Sequence, residues 1–208
     1  VINCRNRYRA DYLVPRSLLI SLVGLPGSGK STIGRQLGRR LAVPFFDSDH
    51  VIEQRLGCSI REYFEREGEE RFRDMEQAVL DELTQGEACV LSTGGGSVLR
   101  EQNRDLLRQN GQVFYLYTSP QEVFRRLRHD RHRPLLQVAD PQARLRELFE
   151  VRDPLYREAA HYVIETGRPN VSSLVNMIVS QLELAGHITP TAPPSAAGRP
   201  RVSPPHRI

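Results

Sequence analysis

The stretch that decides the fold reads GLPGSGKS, Gly24 to Ser31, and it follows directly on the apolar run Leu18 to Val23. Gly24, Gly29, Lys30 and Ser31 occupy the four fixed places of the phosphate-loop pattern, with a strand expected before it and a helix after it. The residue types answer a physical demand. Glycine lets the backbone bend so that consecutive N–H groups converge on phosphate oxygens, the helix opening near Lys30 adds the positive end of its dipole, and the lysine ammonium reaches the β and γ phosphates. Gly27, Ser28, Gly29, Lys30, Ser31 and Thr32 are therefore candidate contacts for ATP, and the Ser31 hydroxyl is a candidate ligand for magnesium. A glycine-rich turn that binds nothing is the bland alternative, against which the flanking strand and helix argue.

Outward from this loop, short apolar runs alternate with longer amphipathic stretches. Strands are expected at Leu18–Val23, Pro44–Phe46, Ala88–Ser92, Gln112–Tyr117 and Tyr162–Glu165. Helices are expected at Lys30–Leu41, after the capping box Ser59–Glu62, and at Glu69–Gln85, Pro120–His129, Pro141–Ala160 and Ser172–Leu184. This alternation predicts an α/β three-layer sandwich around a five-stranded parallel sheet, with ligands at the carboxyl ends of the strands.

The 208 residues suit one domain with tails, and 39% hydrophobic with 26% charged residues is an ordinary globular balance. Residues 1–17 lack apolar periodicity and read as a flexible basic arm; 186–208, rich in proline and without an acid, read as a disordered basic tail. Residues 18–185 form the expected domain. The net charge of +4 raises the question of nucleic acid, but the arm carries four Arg and one Asp and the tail three Arg. Each end thus contributes +3, which leaves the domain at −2. Of the 29 basic residues 28 are Arg, and the single lysine is Lys30. Three scattered cysteines without a CxxC pair encode neither a disulfide framework nor a structural zinc site. No apolar run near the start approaches the ~20 residues of a membrane span, so a soluble cytoplasmic protein is expected.

A phosphate loop identifies a nucleotide but not its use. ATP hydrolysis machines commonly place an acid at the end of a later apolar strand. Here Ala88–Ser92 runs into Thr93 and then Gly94, Gly95 and Gly96, so the acids are sought in FFDSD, at Asp47 and Asp49. In extended backbone, residues two apart face one side, which would aim both carboxylates into one cleft, one for the metal and one for a substrate hydroxyl. The alternative is that one of them only caps the helix that follows. The three glycines would let a ligand approach the backbone closely. Arg73 and Arg152, read from their pattern alone, are surface residues among compensating acids. The run RRLRHDRHR, Arg125 to Arg133, is either a solvated helix end or a flap that closes over phosphates. His129 and His132 lack the further ligands a zinc site needs.

From about Leu18 to Leu184 the sequence resembles the shikimate kinase family, since GLPGSGKST, FDSD, GEERFR, the triple glycine, RPLL and RDPLY occur in the family's order and at similar spacings. The resemblance implies a P-loop kinase fold and transfer of the ATP γ-phosphoryl to the 3-hydroxyl of shikimate, on the route to chorismate and aromatic amino acids. It implies magnesium on Ser31 with Asp47 reaching it through water, and Asp49 beside the acceptor hydroxyls as positioner or base. Arg73 and Arg152 would grip the shikimate carboxylate, with Gly94, Gly95 and Gly96 against the hydroxyls. Arg133 would be the catalytic arginine on ATP, on a lid over about 128–139. Many members carry an arginine pair at the adenine; here the loop reads Thr166, Gly167, Arg168, Pro169, which leaves Arg168 for that place. Shikimate and ATP are then the partners of a monomer that binds neither nucleic acid nor membrane. Two other readings stay open: a P-loop kinase for gluconate or a nucleotide, and a nucleotide-gated nucleic-acid module, for which 7% aromatic residues and no Trp offer little base stacking.

Overall fold

The computed structural model describes residues 11–128, 140–167 and 169–191. Within them the chain runs β1 (Tyr12–Leu13), β2 (Leu19–Val23), α1 (Lys30–Leu41), β3 (Phe45–Asp47), α2 (Ser48–Leu56), α3 (Ile60–Thr84) and β4 (Cys89–Ser92). It continues through α4 (Glu101–Asn110), β5 (Gly111–Tyr117), α5 (Pro120–Leu127), α6 (Pro141–Ala159), β6 (Tyr162–Glu165), α7 (Val171–Leu184) and β7 (Thr189–Pro190). Five of the strands form one parallel sheet in the order β3-β4-β2-β5-β6. The order reverses at β2, and ligands in such sheets bind outside the carboxyl ends of the strands at this switch point. The phosphate loop leaves β2 there.

The central strands are buried on both faces, as parallel strands require, which is why LISLV is nearly unbroken in hydrophobicity. Ile20, Leu22, Phe114 and Leu116 pack with Leu37 of α1 and Ile178 of α7 on one face. Leu19, Val23, Val113 and Tyr115 pack with Leu107 of α4 and Leu148 and Tyr156 of α6 on the other. The three-layer α/β sandwich expected from the sequence is the fold observed.

Three departures have physical causes. The helix α4 was not expected: two of its three buried residues, Asn103 and Arg104, are polar, and Leu106 and Leu107 alone give it an apolar edge. Ser59 and Glu62 do close a capping box, but the helices it and Glu69 open are one rod interrupted at Gly68, whose φ of 83° and ψ of 174° are not helical. Finally, the basic arm and the proline-rich tail are joined at their inner ends. Tyr12–Leu13 pair antiparallel with Thr189–Pro190, Arg40 binds Asp11 at 3.1 Å, and Ile188 is buried in the α1/α7 core. The described fold thus includes paired residues on both sides of 18–185.

Candidate active site

Gly24, Gly27 and Gly29 hold positive φ angles of 146°, 83° and 98°, the backbone bends that turn the loop around its own center. Gly29 is the N-cap of α1, so the helix begins at Lys30 with its free N–H groups facing the loop. Lys30 is 8% exposed and its Nζ donates to the carbonyls of Gly24 at 2.8 Å and Leu25 at 3.0 Å. The ammonium is thereby held across the loop's mouth.

The Ser31 hydroxyl donates to Asp47 Oδ2 at 2.6 Å and lies 3.5 Å from the Ser92 hydroxyl. Asp47 occupies the N-cap of α2, yet its side chain makes no capping bond. The capping alternative fails for it. The expectation that an extended backbone aims Asp47 and Asp49 together also needs correction. The strand ends at Asp47, and Asp49 belongs to the first turn of α2. Both still line one cavity of about 350 Å³, with Gly27, Gly29, Lys30, Ser31, Thr32, Ser92, Thr93 and Gly95 among its walls.

Burial is the main reason that the Asp49 carboxyl is pushed up to about 6, with the neighboring Asp47 charge adding to it and Lys30 opposing it. The glycine loop explains how this carboxylate is accommodated. A Cβ on Gly94 would stand 2.5 Å from Asp49 Oδ1 and 3.0 Å from Glu76 Oε1, and one on Gly95 would stand 2.8 Å from Pro26 of the phosphate loop. Only glycine fits between these groups. The loop is pinned from beneath: the Gly94 N–H donates to Ser48 Oγ at 3.0 Å, and Ser97 Oγ donates to the Gly94 carbonyl at 2.6 Å.

Arg73 and Arg152 reach this loop rather than the cavity wall. A Cβ on Gly96 would stand 2.6 Å from Arg73 Nη2, and Arg152 Nη1 donates to the Gly95 carbonyl at 3.1 Å. The surface reading of Arg73 is corrected here, since its side chain is only 12% exposed and is paired with Glu76 at 2.7 Å and Glu69 at 3.1 Å. Burial works against its charge, but the two acids outweigh that and hold the guanidinium above its ordinary value. Burial likewise pushes the Glu76 carboxyl upward, against the pull of Arg73, Arg152 and Arg100.

A cavity with a phosphate loop on one side and a carboxylate and a glycine loop on the other, with two arginines behind that loop, suits a kinase for a small acid. Comparison with known proteins agrees. The family model described as shikimate kinase matches residues 26–183. The chain belongs to the shikimate kinase family. The shikimate kinase of Paracidovorax citrulli is 61% identical over 179 residues, covering 85% of this chain and 97% of that protein. That of Ralstonia nicotianae is 55% identical over 173 residues, covering 83% and 91%. Among solved structures, shikimate kinase from Acinetobacter baumannii in complex with shikimate is similar at a TM-score of 0.77 and 48% identity, covering 82% of this chain and 96% of that one.

In this shikimate kinase family member, the candidates that fall within the described residues come together around the cavity or its glycine loop. Arg133, with the lid expected over about 128–139, and Arg168 at the adenine loop lie outside the described residues, apart from Arg128 at the end of α5. Sequence reasoning missed Glu76, Tyr156, Ser48 and Arg126. Glu76 sits three residues after Arg73, a spacing that equally describes a solvated surface pair. Tyr156 closes the RDPLY stretch, where nothing in the sequence distinguishes it from an ordinary core aromatic. Arg126 was read only as part of a cationic run; its guanidinium donates to the Thr166 carbonyl at 2.5 Å and to the Ser28 carbonyl at 3.4 Å, joining the phosphate loop to the loop after β6.

Proposed function

We propose that this chain transfers the γ-phosphoryl group of ATP to the 3-hydroxyl of shikimate, giving shikimate 3-phosphate and ADP for chorismate and aromatic amino acid synthesis. The observation that carries this reading is the single cavity in which Lys30, Ser31 and Asp47 share walls with Asp49 and Gly95. The N–H groups of Gly27 to Thr32 and the Lys30 ammonium hold the phosphates. Asp49 accepts a hydrogen bond from the acceptor hydroxyl and takes its proton as the oxygen attacks the γ-phosphorus and the bond to the bridging oxygen breaks. A loose transition state asks little of a base, so aligning the hydroxyl is the larger part of the Asp49 role. Arg73 and Arg152 bind the acceptor carboxylate, for which planar guanidinium forks are suited. Arg133, on a lid over the nucleotide, and Arg168, at the adenine, take their places in this scheme from the family resemblance.

The donors available suit Mg2+. Ser31 Oγ and Asp47 Oδ2 are hard oxygens 2.6 Å apart, and among the described residues no group of three or more His, Cys, Asp or Glu forms a metal cage. Mg2+ keeps waters and phosphate oxygens as most of its ligands, so one hydroxyl and a water-linked carboxylate are sufficient. When bound, it neutralizes charge on the β and γ phosphates. Among the described residues no helix is long and apolar enough to cross a membrane. The enzyme is read as a cytoplasmic monomer, with no nucleic-acid partner, because the net positive charge belongs to the chain ends.

A coupled assay of ADP release tests the reading. Release should depend on shikimate and magnesium, and on none of gluconate, nucleoside monophosphates or nucleic acid. ADP release that shikimate does not alter would make the chain an ATPase instead.

A further inference from the structure

Tyr156 is fully buried on α6, and its hydroxyl donates to the Gly95 carbonyl at 2.5 Å. The Arg152 guanidinium, one turn earlier on the same helix, donates to the same carbonyl at 3.1 Å. Burial pushes the Tyr156 phenol well above its ordinary range, and the nearby Arg152 charge pulls the other way. Phenol and guanidinium thus converge on one carbonyl. The opposite side of Gly95 is fixed as well, because Pro26 of the phosphate loop leaves no room for a side chain there.

A buried tyrosine needs some acceptor for its hydroxyl, and satisfaction of the core would be a sufficient explanation if any acceptor served. The neighboring ring provides the contrast. Tyr115 stacks on Tyr156 with ring centroids 5.0 Å apart, and its hydroxyl donates at 2.8 Å to Asp153, away from the glycine loop. Two stacked core tyrosines therefore face different tasks: one is satisfied within α6, the other reaches the loop that walls the cavity.

We propose that Tyr156 is a positioning residue for the acceptor, tying the Gly95 carbonyl and the Arg152 guanidinium into one unit that sets where a carboxylate-bearing acceptor binds. This rests on the reading of Arg152 as the carboxylate clamp. Without the hydroxyl, Arg152 keeps its charge but the Gly95 carbonyl that aims it loses its second donor, so recognition of the acceptor suffers while the phosphate loop is untouched.

The test is steady-state kinetics on the full chain. Tyr156→Phe keeps the ring and removes one oxygen; it should raise the shikimate KM about tenfold while the ATP KM stays within about twofold and kcat within about threefold. Tyr115→Phe should lower the unfolding temperature and leave the shikimate KM unchanged. In an Arg152→Lys background Tyr156→Phe should have little further effect, because the two act as a unit. Should the phenylalanine variant not fold, Tyr156→Met, which fills the site with a flexible apolar chain, gives the same readout. Equal changes in both KM values, an unchanged shikimate KM, or additivity with Arg152→Lys would overturn the proposal. If Arg152→Lys alone leaves the shikimate KM unchanged, the clamp reading fails first, and that outcome is separable from a null result at Tyr156.

Discussion

The proposed phosphate end is built from the consecutive residues Gly24 to Ser31, whereas the proposed acceptor end draws Asp49, Arg73, Gly95 and Arg152 from four separate segments. The difference follows from the ligands. Phosphate oxygens are met by backbone N–H groups and one ammonium, which a bent loop and a helix terminus supply wherever the sequence permits the bend. A hydroxylated carboxylic acid must be met by directional side chains on opposite sides, so its site exists only after α2, α3, α6 and the glycine loop have packed. Packing carries an electrostatic consequence: Asp49, half-buried, and Glu76, buried, are held above their ordinary ionization ranges.

The largest effect expected at the phosphate end is that of Lys30→Met, which should lower kcat by ~10³-fold, the scale of removing a preorganized charge from a developing oxyanion. Shikimate affinity, measured by equilibrium titration, should hardly change. If it collapses, the two ends are not separable in the way the comparison supposes.

At the acceptor end Asp49→Asn should lower turnover by ~100-fold, or ~3 kcal/mol of transition-state stabilization, with ATP binding retained. Near-normal turnover would remove Asp49 from the reaction. The same substitution has an opposite sign for stability. The folded carboxyl titrates near 6 instead of 3.8, so its contribution is most favorable below pH 4 and is lost as the pH rises through 6. Asp49→Asn should therefore stabilize the chain at pH 7.5 by up to about 3 kcal/mol, with the gain vanishing near pH 4, as urea unfolding at the two values would show. A base of this ionization also predicts that kcat/KM falls below pH 6 in the wild type.

Arg152→Lys should raise the shikimate KM by ~10-fold and leave the ATP KM nearly unchanged, because a point charge replaces a planar fork. A smaller effect still sharpens the boundary of the acceptor end. Ser59→Ala removes the capping box of α3 and should cost ~1 kcal/mol. Since Gly68 interrupts the rod between that cap and Arg73, the shikimate KM should not move; a change would mean that the helix transmits its first turns to the site.

The acceptor end was less legible in the sequence for reasons that particular residues make plain. Arg73 looked like a surface residue because burial is not written in an i, i+3 pair, and only the fold shows Glu76 to be 1% exposed. Asp47 and Asp49 were rightly placed together, but for a geometric reason that the start of α2 at Ser48 replaces. The helix α4 gives only a short apolar signal, Leu106 and Leu107, because Asn103 and Arg104 fill the rest of its buried face. The two chain ends, each without a core of its own, gave no sign that Tyr12–Leu13 and Thr189–Pro190 would pair, since a ladder between distant segments leaves no local pattern.

The sequence by itself determined the phosphate loop, the parallel sheet and the family, because a backbone bend before a helix and apolar runs alternating with amphipathic ones are local properties of the chain. The tertiary structure alone decided how the acceptor side is held. A carboxylate pushed up to about 6 and a tyrosine bonded to the Gly95 carbonyl depend on groups brought from distant segments into one low-dielectric place, and only packing buries the Arg73–Glu76 pair that the sequence spaces three apart.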